Sequence, residues 1–139
     1  MSVAAPRKQV RIGRWTVTAL RDGVFALDGG AMFGVVPRVI WEGLTPVHED
    51  HTIPLATNPF LLQDGERTVV IEPGIGQRWG EKERAMFRIA HPGGGLVASL
   101  AAAGVAPEQV THCLMSPGHW DHIGAVCGED AAPVFAAAE

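Results

Sequence analysis

Two histidines and an aspartate lie within four residues near the C-terminal end of the chain, in the stretch Ser116-Pro117-Gly118-His119-Trp120-Asp121-His122. Imidazole nitrogens and carboxylate oxygens are ligands of zinc, and zinc with an open position activates a bound water. If the backbone turns helically after Gly118, the two imidazoles share one side, since side chains three positions apart are neighbours on a helix. A carboxylate there can also orient the nucleophile or accept its proton. His119, Asp121 and His122 are therefore candidate metal ligands.

An isolated His-x-Asp-His sequence is more often a polar turn than a metal site, so the context has to decide between the two. Here the motif directly follows an apolar run, Val110 to Met115, which predicts a strand, and Gly118 and Gly124 flank it. Open α/β sheets place their ligands in loops that follow strands, so the context favours a metal site. Trp120 is expected to pack beneath the loop rather than to take part in the chemistry.

The elements that must position this motif are predicted by alternating apolar residues. Val10 to Leu20 predicts a hairpin, and Val24 to Leu27 predicts another short strand. Two clearer strands follow, joined by a strong hairpin signal at Asp64-Gly65: Asn58 to Gln63 and Arg67 to Glu72. Arg21-Asp22-Gly23 is predicted to be a turn, because glycine accepts a positive φ without strain.

Helices are predicted over Glu81 to Ile89 and over Leu96 to Ala103, where Gly104 ends the second one. Both lie between the clear strands and the strand that precedes the motif. Helix and strand alternating in this way imply a mixed sheet covered by helices, so the predicted fold class is α/β.

The segment between the short strand and the clear hairpin is rich in glycine and polar residues. Asp28 to Gly34 is predicted to be a flexible loop, whose Met32 and Phe33 either tuck back onto the core or contact substrate. Val36 to Trp41 predicts a short helix or turn, and Glu42 to Leu55 predicts an irregular polar stretch. His48 and His51 within it lack ligand spacing on a rigid element, so a solvated loop is expected there.

Composition limits the classes of function. The 139 residues are one domain by size, and a net charge of −4 without a basic stripe argues against a nucleic-acid partner. The most apolar segment, Leu96 to Ala106, has half the length of a membrane span, and Met1 to Lys8 has no signal-peptide core. Cys113 and Cys127 make neither a Cys-x-x-Cys motif nor a disulfide framework. A cytoplasmic protein without membrane attachment is expected.

Three segments carry a resemblance to a known family: Asp28 to Glu42, Val70 to Gly76 and Val110 to Gly124. Together they resemble the metallo-β-lactamase-fold hydrolases, and within that fold the lactonase-like branch related to quorum-quenching enzymes. The likeness covers the chain from about Val10 onward. It implies that residues 1–139 form a single partial domain, the N-terminal half of an αββα sandwich.

The resemblance also implies a zinc-dependent hydrolase. In the family, two zinc ions are bridged by a hydroxide that attacks an ester- or lactone-type carbonyl of a small-molecule substrate. Carried over to this sequence, His119 is a ligand of the first zinc, and Asp121 and His122 are ligands of the second. Asp121 then also has the catalytic role of orienting the attacking hydroxide. Glu72 stands at a strand end where the family has an aspartate, and there it would support the ligand loop.

Two departures from the family pattern limit the carry-over. Pro117 stands where the motif has its first histidine, and proline has neither a metal-binding side chain nor a backbone N–H. The family's later ligands would lie beyond Glu139. One zinc or weakened zinc binding is therefore expected, and an exposed apolar sheet face would favour a homo-oligomer.

The sequence leaves three functions open. The first is the zinc-dependent hydrolase itself. The second is a degenerate or truncated family member that binds a partner or small ligand without hydrolysis, which the proline at position 117 favours. The third, an iron oxidoreductase of the same fold, is weaker, because the motif lacks the further acidic residue that such enzymes carry.

Overall fold

The computed structural model describes residues 8–116 and 118–139, which form two compact units. The larger unit comprises the described residues of segments 1–23, 57–78 and 91–139, and the smaller unit comprises residues 24–56 and 79–90. The helices and strands in chain order are β1 (Gln9–Ile12), β2 (Trp15–Ala19), β3 (Val24–Asp28), α1 (Gly29–Phe33), α2 (Arg38–Trp41), β4 (Thr52–Ala56), β5 (Phe60–Gln63), β6 (Thr68–Ile71), α3 (Glu81–Phe87), α4 (Gly95–Ala102), β7 (His112–Leu114) and α5 (Trp120–Ile123). None of these helices has the length and apolar character that crossing a bilayer requires. That residues 1–139 act as one partial domain stays a prediction.

A five-stranded mixed sheet, in the order β1-β2-β5-β6-β7, forms the frame of the larger unit. Its first three strand pairs are antiparallel, and β6 pairs with β7 in parallel. Both predicted hairpins are confirmed, and Gly65 takes a φ of 96° in the turn between β5 and β6, a conformation that favours glycine. The parallel pair needs a long crossover connection, and α4 lies within it. The sheet is mixed and carries helices, as the sequence predicts.

One face of this sheet is covered by α4 and holds the core of the larger unit. Leu61 of β5 lies beside Val70 of β6 in the strand register, and Leu100 of α4 packs in the same buried cluster. All three are at most 1% exposed. Burying one such leucine contributes about 1.5–3 kcal/mol relative to leaving it in water. The other members of the cluster are Leu20, Leu96, Val105, Val110, Ala125 and Phe135.

The opposite face of the sheet is apolar as well, because side chains alternate between the two faces along each strand. Val10 pairs with Val17, Val17 with Leu62, and Leu62 with Val69, which makes an apolar row across four strands. Four apolar side chains on this face remain open to solvent, and we call them the open face: Val10 (55% exposed), Ile12 (63%), Phe60 (44%) and Leu114 (52%).

The smaller unit is built on the antiparallel pair β3 and β4, with Phe25 opposite Leu55. Trp41 and Ile53 are buried in it, and a side chain at Gly29 would place a Cβ only 2.5 Å from the Trp41 ring. Phe33 stacks on Trp41, with ring centroids 5.0 Å apart and planes 3° from parallel. The fold of this unit therefore depends on close contact around one tryptophan.

Two predictions for the smaller unit are wrong. Asp28 to Gly34 is not a flexible loop, because residues 29–33 form α1. The Asp28 carboxylate accepts from Ala31 N at 2.8 Å, and Gly34, at φ 59°, closes the turn by donating to Gly30 O. The stretch predicted to be irregular up to Leu55 ends in β4, a strand of a two-stranded sheet that tolerates Pro54.

Candidate metal centre

The segment 118–124, called here the metal loop, leaves the parallel edge of the sheet at the end of β7. His119 is the N-cap of α5, with φ −89° and ψ 148°, and its carbonyl accepts from His122 N at 3.0 Å and from Ile123 N at 3.1 Å. The chain therefore turns helically after Gly118, which is the condition under which the two imidazoles were expected to share one side. Pro117, the predicted missing ligand, lies outside the described residues.

Asp121 and His122 come together on this turn. In their side chains, Asp121 Oδ2 and His122 Nε2 are 3.4 Å apart. Zn–N and Zn–O bonds of about 2.1 Å, held at the tetrahedral angle, place two ligand atoms of one zinc ion about 3.4 Å apart. The pair thus has the spacing of two ligands of a single metal ion.

Glu72, at the end of β6, reaches the other side of the His122 ring. Its Oε2 accepts a hydrogen bond from His122 Nδ1, while its Oε1 accepts from Ser116 N at 2.5 Å. A carboxylate only accepts hydrogen bonds, so Nδ1 carries a proton, and in the neutral ring the lone pair is then on Nε2. A histidine fixed in this way by a carboxylate is a common arrangement behind metal-binding imidazoles.

The ionised form of Glu72 is favoured by its surroundings. Burial by itself raises the pKa of this carboxyl, but hydrogen bonds from the side chain and backbone of Ser116 and from His122 outweigh it. The pKa of Glu72 therefore lies below its ordinary value. Glu72 also has a φ of 54°, an uncommon backbone conformation for a residue with a side chain. The strained backbone and the two hydrogen bonds fix the carboxylate against the metal loop.

His119 stands apart from this pair. Its ring centroid is 6.4 Å from that of His122, with the ring planes 64° apart, and the residue is exposed. Over residues 8–116 and 118–139, no three His, Cys, Asp or Glu side chains converge as a metal-binding group. Of the three candidate ligands, only Asp121 and His122 lie at the spacing of two ligands of one metal ion, so an ion bound here would need further ligands from elsewhere.

The metal loop is attached to the segment Gly74-Ile75-Gly76, called here the glycine segment. Gly74 N donates to His122 O at 3.0 Å, and Ala125 N donates to Gly74 O at 3.1 Å. A Cβ at Gly124 would lie 2.0 Å from Ile75 O, and a Cβ at Gly76 would lie 2.4 Å from Gly124 O. Backbone therefore packs directly on backbone, at a distance that leaves no room for side chains.

Sequence reasoning missed Asp22, which lies beneath the glycine segment. The prediction of a turn at Arg21-Asp22-Gly23 is wrong, because these residues form no turn and Gly23 is not among the glycines with positive φ, and Asp22 is only 1% exposed. Its Oδ2 accepts from Ile75 N at 2.7 Å and from Gly76 N at 3.0 Å. The only sequence signal was a charged residue within two positions of Leu20 and Val24, both apolar.

The other sequence-predicted residues lie in the smaller unit. Phe33 packs on Trp41, as one of the two alternatives predicted, whereas Met32 is 48% exposed. His48 Nδ1 hydrogen-bonds Thr52 Oγ1 at 2.9 Å, and His51 Nδ1 hydrogen-bonds Arg38 at 2.7 Å. The contact of either Met32 or Phe33 with a substrate stays a prediction.

A cavity of about 390 Å³ lies in the larger unit, away from the candidate ligands. Asp22, Gly76 and Ala125 line it, together with apolar residues of α4, but none of His119, Asp121 and His122 does. This cavity is therefore next to the support of the metal loop rather than at the loop's ligands.

Comparison with known proteins gives one family and several similar structures. The sequence profile of the metallo-β-lactamase superfamily matches residues 52–128. A probable metal-dependent hydrolase from Staphylococcus aureus is 30% identical, with a TM-score of 0.85, over 93% of this chain and 47% of that one. The hydrolase AbOPH of the β-lactamase superfamily is 25% identical, with a TM-score of 0.73, over 99% of this chain and 44% of its own.

A third similar structure is AidC, a dizinc quorum-quenching lactonase in complex with a product, N-hexnoyl-L-homoserine. It is 25% identical, with a TM-score of 0.71, over 95% of this chain and 42% of its own. The chain thus spans slightly less than half the length of these three structures. No curated protein sequence matches it.

Proposed function

This chain belongs to the metallo-β-lactamase superfamily and has a partial α/β fold of that family, and from that membership we propose that it carries part of the metal centre of a zinc-dependent hydrolase. The proposed substrate is a small molecule with an ester- or lactone-type carbonyl. The lactonase among the similar structures supports this substrate class, as does the metal-dependent hydrolase for the chemistry.

One observation carries the proposal: Asp121 Oδ2 and His122 Nε2 lie 3.4 Å apart while Glu72 holds the opposite nitrogen of the imidazole. A polar surface turn does not need this arrangement. Solvent-exposed charged groups are satisfied by water, whereas Glu72 is held with a hydrogen bond to each oxygen. The arrangement places a carboxylate oxygen and an imidazole nitrogen at the separation of two ligands of one metal ion.

The residues have distinct proposed roles. Asp121 and His122 would hold one zinc ion, and His119 would hold a second. Bound zinc supplies Lewis-acid polarisation of a carbonyl and lowers the pKa of a water molecule. Asp121 also offers a carboxylate oxygen that accepts a hydrogen bond or a proton from the attacking water. Glu72 keeps the His122 proton on Nδ1, and Met32 and Phe33 are proposed to contact the substrate.

Zinc retention by the full chain tests this assignment. The protein is loaded with zinc, desalted, and analysed for metal per chain by mass spectrometry. We expect wild type to retain zinc and His122→Gln to lose most of it, because His122 is one of the two converging donors. His48→Gln is the matched control, since His48 is bonded to Thr52 in the smaller unit. Equal zinc in wild type and His122→Gln would overturn the assignment.

Hydrolysis is measured on the same preparations with a panel of aryl esters and simple lactones. We expect turnover that disappears with a chelator and returns with added zinc. A wild-type chain that retains no zinc and hydrolyses no member of the panel would instead be a non-catalytic binding protein of this family.

A further inference from the structure

Asp22 is a carboxylate with almost no access to solvent, 1% exposed, in the larger unit. Besides Ile75 N and Gly76 N, it accepts from Leu96 N at 3.1 Å and from Thr57 Oγ1 at 3.3 Å. Burying a charge costs free energy unless hydrogen bonds compensate it, and here four donors do so. His91 Nε2 is 3.8 Å from Asp22 Oδ1, beyond hydrogen-bond distance.

The hydrogen bonds that Asp22 accepts hold the glycine segment in place, and the metal loop is attached to the same segment. Gly74 contacts both, because a Cβ there would lie 2.6 Å from Asp22 Oδ2, and its N–H donates to the His122 carbonyl. Two backbone hydrogen bonds and two close glycine contacts thus connect the buried carboxylate to His122, whose imidazole faces Asp121. No step in this path depends on a flexible side chain.

We propose that Asp22 is a positioning residue for the metal centre. Through the glycine segment, it sets the orientation of the His122 imidazole between Glu72 and Asp121. The inference rests on the proposed function in one respect only, that His122 is a metal ligand. Its structural part, the orientation of the ring, is independent of any metal.

A carboxylate is required at this position because both of its oxygens accept backbone hydrogen bonds. Oδ1 accepts from Leu96 N, and Oδ2 accepts from Ile75 N and Gly76 N. An asparagine has one acceptor oxygen, so either orientation of its amide places an NH2 group against a backbone N–H donor. Asp22→Asn therefore leaves at least one of these three backbone N–H groups without its acceptor while conserving the shape of the side chain, and Asp22→Ala removes both acceptor oxygens.

The first test is made on metal-free protein by NMR of the histidine ring nitrogens, with the His122 signals identified by their absence in His122→Gln. We expect wild-type His122 in the Nδ1-protonated form that Glu72 selects, and a mixture of the two tautomers in Asp22→Asn. Leu100→Ala is the matched control, since it destabilises the core of the same unit without touching the carboxylate. We expect it to lower Tm and leave the His122 signals unchanged.

The second test is a cobalt(II) titration followed by visible absorption. We expect Asp22→Asn to bind cobalt about ten-fold or more weakly than Leu100→Ala, the size of effect seen when the support of a metal ligand is removed. Wild-type His122 signals retained in both Asp22→Asn and Asp22→Ala would overturn the proposal. If Asp22→Asn does not fold, Thr57→Val removes a single donor and is expected to change the His122 signals in the same direction, and unchanged signals there would also overturn it.

The two tests separate this proposal from the proposed function. A wild-type chain that binds no cobalt contradicts the metal assignment, and the ring-nitrogen spectrum then still decides whether Asp22 orients His122.

Discussion

At the scale of single residues, the chemistry depends on which nitrogen of His122 is free. Glu72 decides this, because its ionised carboxylate can only accept and therefore keeps the proton on Nδ1. An aspartate at the same place, as in the family pattern, is one methylene shorter. Glu72 follows the last residue of β6 with a positive φ. The carboxylate still bonds His122 and Ser116.

The residue at position 117 gives the first prediction at this scale. Pro117→His restores the histidine of the family motif, and with His119 it would supply two ligands for the first metal ion. We expect more zinc per chain, or zinc retained at higher chelator concentration, as measured by competition with a chromophoric chelator. Pro117→Ala is the control, because it removes the proline without adding a ligand. No difference between the two variants would mean that this ligand is not what limits binding.

At the scale of elements, α5 is held by its backbone contact with the glycine segment rather than by buried side chains, since none of its residues is buried. Its single turn is too short to be stable alone. Gly124 has an ordinary helical conformation, φ −58° and ψ −30°, which any residue could adopt. It has to be glycine only because Ile75 O is so close.

Gly124→Ala therefore tests the attachment of α5 directly. The added methyl group cannot fit beside Ile75 O, so either the loop separates or the backbone shifts, at a cost of about 1–3 kcal/mol. We expect a lower midpoint in urea unfolding and weaker zinc binding. Gly118→Ala is the matched control in the same loop, because no atom lies within 4 Å of its added Cβ and its φ is not positive. Equal midpoints for the two variants would contradict the close contact.

The hairpin between β5 and β6 gives a prediction about pH. Burial by itself raises the pKa of Asp64, but the Arg67 backbone and side chain, Glu66 N and Arg14 outweigh it, and the pKa lies well below its usual range. The unfolded chain therefore binds the proton at a higher pH than the folded chain does. The stability that Asp64 contributes is present above its unfolded pKa and is lost as the pH falls through the folded value.

Asp64→Asn is accordingly expected to unfold at a lower denaturant concentration at neutral pH and to lose less stability on acidification than wild type. The measurement is urea unfolding at a series of pH values from neutral down to strongly acidic. Glu66→Gln is the control at the same hairpin, because Glu66 is highly exposed and only 3.6 Å from Arg14 in a weak surface pair. If the stability of Asp64→Asn fell with decreasing pH as steeply as that of wild type, the assigned pKa shift would be contradicted.

At the scale of the whole molecule, the open face of the sheet governs solution behaviour. Val10, Ile12, Phe60 and Leu114 lie on one face of the larger unit and are each at least 44% exposed. Large exposed apolar surfaces promote association. We expect the purified 139-residue chain to sediment as a mixture of oligomers and the double variant Ile12→Lys with Leu114→Lys to shift it toward monomer. A monodisperse wild-type monomer would contradict this.

At this scale, the sequence predicts the strands and helices better than it predicts the contacts that hold the candidate metal ligands in place. Local patterns predict the hairpins, the α/β class and the helical turn at the metal motif. The signals for them are the alternation of apolar residues, the Asp-Gly pair and the glycines that flank the motif, and each of these spans only a few residues. The α1 helix was missed because its two leading glycines favour a loop, and the Asp28 cap and the packing against Trp41 outweigh them.

Asp22 was missed for a different physical reason. Its donors lie at positions 57, 75, 76 and 96, which are far away in sequence, so no local pattern distinguishes a buried Asp-Gly from a surface turn. Glu72 was found because a family pattern placed an acidic residue there. Its bond to His122 crosses fifty positions and depends on β6 lying beside β7.

The close contact between Gly76 and Gly124 has a consequence for how such a protein changes over generations. The candidate ligands are exposed or only half-buried, so replacing them costs the fold little, whereas a side chain at either glycine separates two packed backbones. Mutational drift can therefore remove metal-binding capacity while the architecture persists.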